Sequence, residues 1–180
     1  MRIIGGKFRS RSLQGPSDIK TRPTSDRTRE SIFNLLENGL HLYSEGLSIL
    51  DLYAGTGALG IEALSRGASF CLFIENHGPA LKALKKNTEN FPEAQVLSKD
   101  VVRLKKNDHS PFDLVFLDPP YHKKLIPLTL KHLVSGQYLK DGAHLIIEIS
   151  NKEKIEIELP FFKIKEKIYG ETKIIFIKYK

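Results

Sequence analysis

From residue 47 onward, short apolar runs alternate with amphipathic stretches, and no other feature of the chain constrains its fold as much. The run 47–52 (LSILDL) reads as a strand, 55–60 as a glycine-rich turn, and 58–66 as a helix closed by Gly67. A second strand over 70–75 and a helix over 79–90 follow, then a short strand at 95–98 and a fourth at 112–117. A helix over 126–134 and a strand over 144–149 come next. The last two strand-like runs, 161–168 and 172–178, flank a hairpin turn at Tyr169-Gly170-Glu171, and Lys173, Lys178 and Lys180 are expected on an edge strand, where lysine discourages aggregation. Parallel neighbours need long crossovers, which helices supply. Repeated β-α units therefore predict an α/β fold with a mostly parallel sheet, helices on both faces and an antiparallel closing hairpin. Ligands of such sheets bind beyond the carboxyl ends of the strands. The chemistry is expected after Leu52, Ile74, Ser98 and Leu117.

The first 40 residues read differently and set an extension (1–40) apart from the main domain (41–180). Residues 3–13 (IIGGKFRSRSL) predict a short basic hairpin turning at Gly5-Gly6. After a loop with Gly15, Pro16 and Pro23, Thr24 or Ser25 can cap a helix. Asp26 would sit in its first turn, Ile32, Leu35 and Leu36 on its apolar face, and Gly39 at its end.

Charge follows the same division. The formal net charge is +7, yet residues 1–30 hold eight lysines and arginines against three acids, leaving twenty against eighteen elsewhere. Such polarity suits a phosphate backbone, whose counterions a basic segment displaces. A solvated tail without a partner is the alternative. No apolar run approaches the roughly 18 residues a membrane span needs, and no apolar signal core opens the chain. The one cysteine, Cys71, allows no internal disulfide, so a cytoplasmic protein is expected. The six histidines lack ligand spacing, and no metal is expected.

The residues at the strand ends carry the chemistry. Gly55, Gly57 and Gly60 form G-x-G-x-x-G between a strand and a helix, which lets a nucleotide-like cofactor approach the backbone. A turn that needs glycine only for packing is the alternative. Glu75, twenty residues after Gly55, can accept ribose hydroxyls. Asp100 can accept an adenine amino group, or equally cap a short helix from Val101 to Lys105. Asp118-Pro119-Pro120-Tyr121 follows the fourth strand directly. Two prolines remove two N–H donors, so the carboxylate and the free carbonyls form a cluster of acceptors without donors. Such a cluster suits an amino group, whose lone pair it aims at an electrophile by position alone. Tyr121 offers a face on which a base can stack.

These motifs carry a resemblance. DLYAGTGALGIEALSRGA at 51–68, Glu75 and the DPPY at 118–121 resemble the class I S-adenosylmethionine methyltransferases that act on exocyclic amines. With RIIGGKFRSRSL at 2–13 and TRPTSDRTRESIFN at 21–34, the chain is similar to the bacterial small-subunit ribosomal RNA guanine-N2 methyltransferases of the RsmD type. That resemblance implies a Rossmann-like, seven-stranded sheet, S-adenosylmethionine as methyl donor and S-adenosylhomocysteine as product. It implies that Asp51, Gly55 and Gly57 hold the methionine end, Glu75 the ribose and Asp100 the adenine, with Tyr53 and Val101 completing the cofactor set. Asp118, Pro119, Pro120 and Tyr121 would hold the guanine. Arg22 and Thr24, with Arg27, would close over the cofactor, while Lys7, Arg9 and Arg11 would meet RNA. The implied partner is ribosomal RNA in the small subunit or an assembly intermediate, approached by a monomer. A DNA adenine-N6 methyltransferase shares the acceptor cluster. A nicotinamide oxidoreductase shares the glycine turn, and a non-catalytic assembly factor shares the basic extension.

Overall fold

The computed structural model describes residues 1–16, 26–120 and 125–180. Among them, one sheet holds β1 (Ser48–Leu52), β2 (Phe70–Ile74), β3 (Ala94–Leu97), β4 (Phe112–Leu117), β5 (Leu139–Ser150), β6 (Phe161–Tyr169) and β7 (Thr172–Tyr179). The order is β3-β2-β1-β4-β5-β7-β6. β1 to β5 pair in parallel, and β7 lies antiparallel to both β5 and β6. From β1 the chain winds outward to β3, then returns to place β4 on the other side of β1. That reversal opens a crevice at the carboxyl ends of β1 and β4, where α/β sheets bind ligands.

The helices are α1 (Asp26–Asn34), α2 (Ala58–Ser65), α3 (Gly78–Thr88) and α4 (Leu125–Ser135). Alternation along the strands splits the core. Ile49, Phe73, Phe116 and Ile174 face a cluster shared with α1, α2, α3 and the hairpin residues Ile3 and Leu13. Leu50, Leu72, Leu117 and Ile147 face a second cluster with Ile126, Leu130 and Leu133 of α4. The helix expected over 26–39 forms, but its last turn widens into a π-helical segment, Leu35–Gly39, closed by Leu40 N–H on the Leu35 carbonyl at 2.9 Å.

The structure revises three sequence expectations. The fifth strand starts at Leu139 rather than 144, because a bulge between the pairings of Phe112 and Leu114, with Gly142 at φ +79°, breaks the alternation over 140–143. Lys173 and Lys178, expected on an edge, lie on the interior strand β7; the edge is β6, which carries Lys163, Lys165 and Lys167. The hairpin is real, bridged from Arg2 to Ser12, but its turn spans 5–10 rather than Gly5-Gly6 alone.

Candidate active site

Asp51 lies one residue from the end of β1 with 2% of its surface exposed, and its Oδ2 accepts the Gly60 N–H at 2.9 Å, tying β1 to the first turn of α2. Burial pushes its pKa from an ordinary 3.8 to about 8; the Gly60 bond opposes the rise and the charge of Glu75 adds to it. Tyr53 takes φ +57°, a conformation that side chains other than glycine seldom adopt and that gathers at functional sites. The twist sends its hydroxyl across to Thr129 Oγ1 on α4, 2.7 Å away.

The glycines divide by role. Gly55 has φ +56° and open space where a side chain would be, so a ligand can approach its backbone. Gly57 donates to the Ala54 carbonyl at 2.7 Å, and a methyl group there would come within 2.5 Å of Leu84 Cδ1. Packing against α3 is thus reason enough for glycine at 57.

Glu75 is 8% exposed, and its carboxylate organises the loop that follows. Oε2 accepts the Gly55 N–H at 2.7 Å, while Oε1 accepts Asn76 N–H at 2.8 Å and His77 N–H at 2.7 Å. The 76–78 stretch is therefore a turn wound around this acid. Asp100 Oδ1 accepts the Val102 N–H at 3.1 Å, so it caps the short 3₁₀ helix Val101–Arg103. The Val101 side chain is buried in the cluster beside α4.

Across the crevice, Asp118 follows β4 directly. Pro119 is buried and Pro120 exposed. Both line a cavity of about 1000 Å³ together with Leu125, Ile126 and the segment 152–161. The Asp118 carboxylate accepts no hydrogen bond from a described residue. Desolvation, with the charges of Glu148, Asp51 and Glu75, holds its pKa well above the usual range. Glu148 went unremarked in the sequence. The pairing of Leu117 with Ile147 sets it beside Asp118 and on the same face of the sheet. A lone acid in the apolar run LIIEIS was the available signal.

Asn87 was also missed. Its Nδ2 donates to the carbonyls of Thr56, at 2.9 Å, and Gln14, at 3.1 Å, and its Oδ1 accepts the Gln14 N–H at 2.8 Å. One buried amide of α3 thus fastens the end of the hairpin to the cofactor turn. Arg29, counted above among the basic surface, has no exposure; it reaches the Arg2 carbonyl and Asp26 and lies 3.7 Å from Glu62.

Of the expected RNA contacts, Lys7 and Arg9 are exposed, whereas the Arg11 guanidinium lies 5.5 Å over the Phe91 ring. Arg27 is exposed on α1. Arg22, Thr24 and Tyr121 lie outside the described residues. Among the described residues no group of three or more acids, histidines or cysteines is placed to hold a metal, and no helix is long and apolar enough to cross a membrane.

The family model described as conserved hypothetical protein 95 matches residues 1–178. The chain belongs to that family. A Haemophilus influenzae relative named ribosomal RNA small subunit methyltransferase D is 35% identical over 176 residues, covering 94% of this chain and 89% of that one. The solved structure of yhhF from Escherichia coli superposes with a TM-score of 0.84 at 31% identity, covering 100% of this chain and 98% of that one. The Thermus thermophilus 16S rRNA N2 G1207 methyltransferase RsmC, solved with AdoMet and guanosine, shares the fold. Its TM-score is 0.67 at 23% identity, over 89% of this chain and 45% of that one. The chain thus has the class I methyltransferase sheet that the resemblance of its motifs implies.

Proposed function

We propose that this protein transfers a methyl group from S-adenosylmethionine to the exocyclic N2 amine of a guanine in small-subunit ribosomal RNA, leaving S-adenosylhomocysteine. The observation that carries the reading is the pairing of Leu52 with Leu117, which starts the Asp118-Pro119-Pro120 acceptor segment and the Gly55 turn from neighbouring strand ends, Gly55 keeping an open backbone. The Haemophilus relative's name supports the ribosomal substrate. We assign the work to the cytoplasm.

The residues present fit the cofactor. The charge of Glu75 bears on Asp51 and the charges of both bear on Asp118, and no ion pair joins any of the three to a described residue. A cationic ligand suits such a group. Asp51 and the Gly55 backbone would hold the methionine end. Glu75 would meet the ribose with the acceptor capacity that three N–H bonds leave to it, out of about four sites. Asp100 and Val101 would border the adenine, and Gly57 keeps the turn in shape. When bound, S-adenosylmethionine supplies an electrophilic methyl on a positively charged sulfur.

The chain's own part is positioning. Asp118 accepts one N–H of the guanine amine and a proline carbonyl the other, which leaves the nitrogen lone pair aimed at the cofactor side of the crevice. Tyr121 is assigned to stack on the base and Arg22, Thr24 and Arg27 to border the cofactor. Lys7, Arg9 and Arg11 are assigned to RNA phosphates. Incubation with methyl-labelled cofactor and undermethylated small subunits, or their RNA, should yield N2-methylguanine. Label found only as N6-methyladenine in DNA would overturn the reading in favour of a DNA enzyme.

A further inference from the structure

The hairpin cations and the crevice sit at opposite ends of α2. Lys7 N–H donates to the Ser65 carbonyl at 2.7 Å and Phe8 N–H to Ser65 Oγ at 3.0 Å, at the far end of the helix that Gly57 begins. Eight residues of helix put about 12 Å between those ends. A nucleic acid that meets both must cross the outer surface on this side of the sheet. α2 cannot offer that surface, because Leu59 to Ser65 are all buried.

α3 can. It begins three residues after Glu75, at the crevice rim. Its other end runs into Phe91, whose ring meets Phe8 at 4.9 Å and the Arg11 guanidinium at 5.5 Å. The inner face buries Ala80, Ala83, Leu84, Asn87 and Thr88, and Asn87 grips Gln14 of the hairpin. The outer face exposes Lys82, Lys85 and Lys86. Spacings of three and four residues put the three ammonium groups on one side of the helix. Lys86 pairs with Glu89 at 2.8 Å, while Lys82 and Lys85 form no ion pair with a described residue.

We propose that Lys82, Lys85 and Lys86 form a phosphate track linking the basic hairpin to the active site, and that the substrate RNA lies along it. The inference rests on the reading of the protein as an RNA methyltransferase. It adds a second element to the RNA surface, on a face that the sequence presents only as an ordinary solvated helix. Cations in line with the hairpin release counterions from the same strand of phosphates, so they add to its affinity without reading sequence.

The test measures the affinity of a small-subunit ribosomal RNA fragment across a salt series by fluorescence anisotropy. Wild type is compared with three variants: Lys82/Lys85/Lys86→Gln, Lys7/Arg9→Gln, and Lys163/Lys165/Lys167→Gln on the edge strand. Each phosphate contact contributes about 0.7 to 0.9 to the logarithmic salt slope, so the α3 variant should lower it by about two and the edge variant should leave it unchanged. Cofactor-product binding by calorimetry should be unaltered in all three, as a check on folding. An unchanged slope in the α3 variant, or an equal loss in the edge variant, would overturn the track. A wild type that binds RNA with this α3-dependent slope yet methylates no guanine would defeat the proposed reaction and leave the track standing.

Discussion

Two regions of this molecule bury acids, and they treat them in opposite ways. Glu62, with no exposure, accepts Ile4 N–H at 2.8 Å, Gly5 N–H at 2.7 Å and Arg66 Nε at 2.9 Å, with Arg29 beside it. Arg66 reaches on to Glu37 at 3.0 Å. That network neutralises itself and welds hairpin, α1 and α2 into one body. At the strand ends, among the described residues, the carboxylates of Asp51 and Glu75 accept only backbone N–H groups and that of Asp118 accepts none. Asp51 and Asp118, desolvated and beside other acids, hold their protons more tightly than an ordinary carboxyl. The first region is a finished structural joint. The second is the arrangement that a cationic ligand completes, as the proposed cofactor would.

The sharpest way to break the comparison is at Glu62. Glu62→Ala removes the buried one of the two acids beside the Arg29 guanidinium, and loss of one member of a buried pair costs about 3 to 5 kcal/mol. For a chain of this length that should lower Tm by about 6 to 20 °C in a thermal melt. A drop no larger than a surface substitution gives would make the joint incidental. At the strand ends the effect should fall on turnover instead. Asp118→Ala should lower kcat at least ~100-fold, about 2.7 kcal/mol, with S-adenosylhomocysteine affinity by calorimetry little changed, because a positioning contact acts mainly in the transition state. Equal losses of turnover and cofactor-product affinity would move Asp118 to the cofactor side.

What the sequence made legible follows the same line. Strands such as Phe112–Leu117 and turns such as Gly55 to Gly60 announce themselves by local periodicity and residue type, so the sheet and the crevice were readable. Strand order is not local: nothing in the residues of β7 says that it enters between β5 and β6, so its lysines read as an edge. Arg29 counted as surface charge because its partner, Glu62, is 33 positions away and meets it only once α1 crosses α2. Asn87 is one polar residue among several in KKNTEN, and Glu148 is a lone acid in an apolar strand. Their roles exist only through Thr56, Gln14 and Asp118, which tertiary packing brings to them.

The finest test uses pH. With its pKa lifted from 3.8 to about 8, folded Asp51 binds a proton that the unfolded chain has released over the interval between. The native state then holds more protons than the unfolded state, so stability is complete below the lower value and declines as pH rises toward the upper one. Asp118, raised for the same reasons, adds to the same slope. The Tm of the ligand-free protein should therefore fall as the pH is taken from about 5 to about 8. Asp51→Asn keeps an oxygen for the Gly60 N–H and removes the titration, so its fall should be shallower. A wild-type Tm that rose over this range would mean that the strand-end acids already have their cation. A cationic ligand at saturation should oppose the wild-type decline, because it binds the ionised carboxylates that high pH favours.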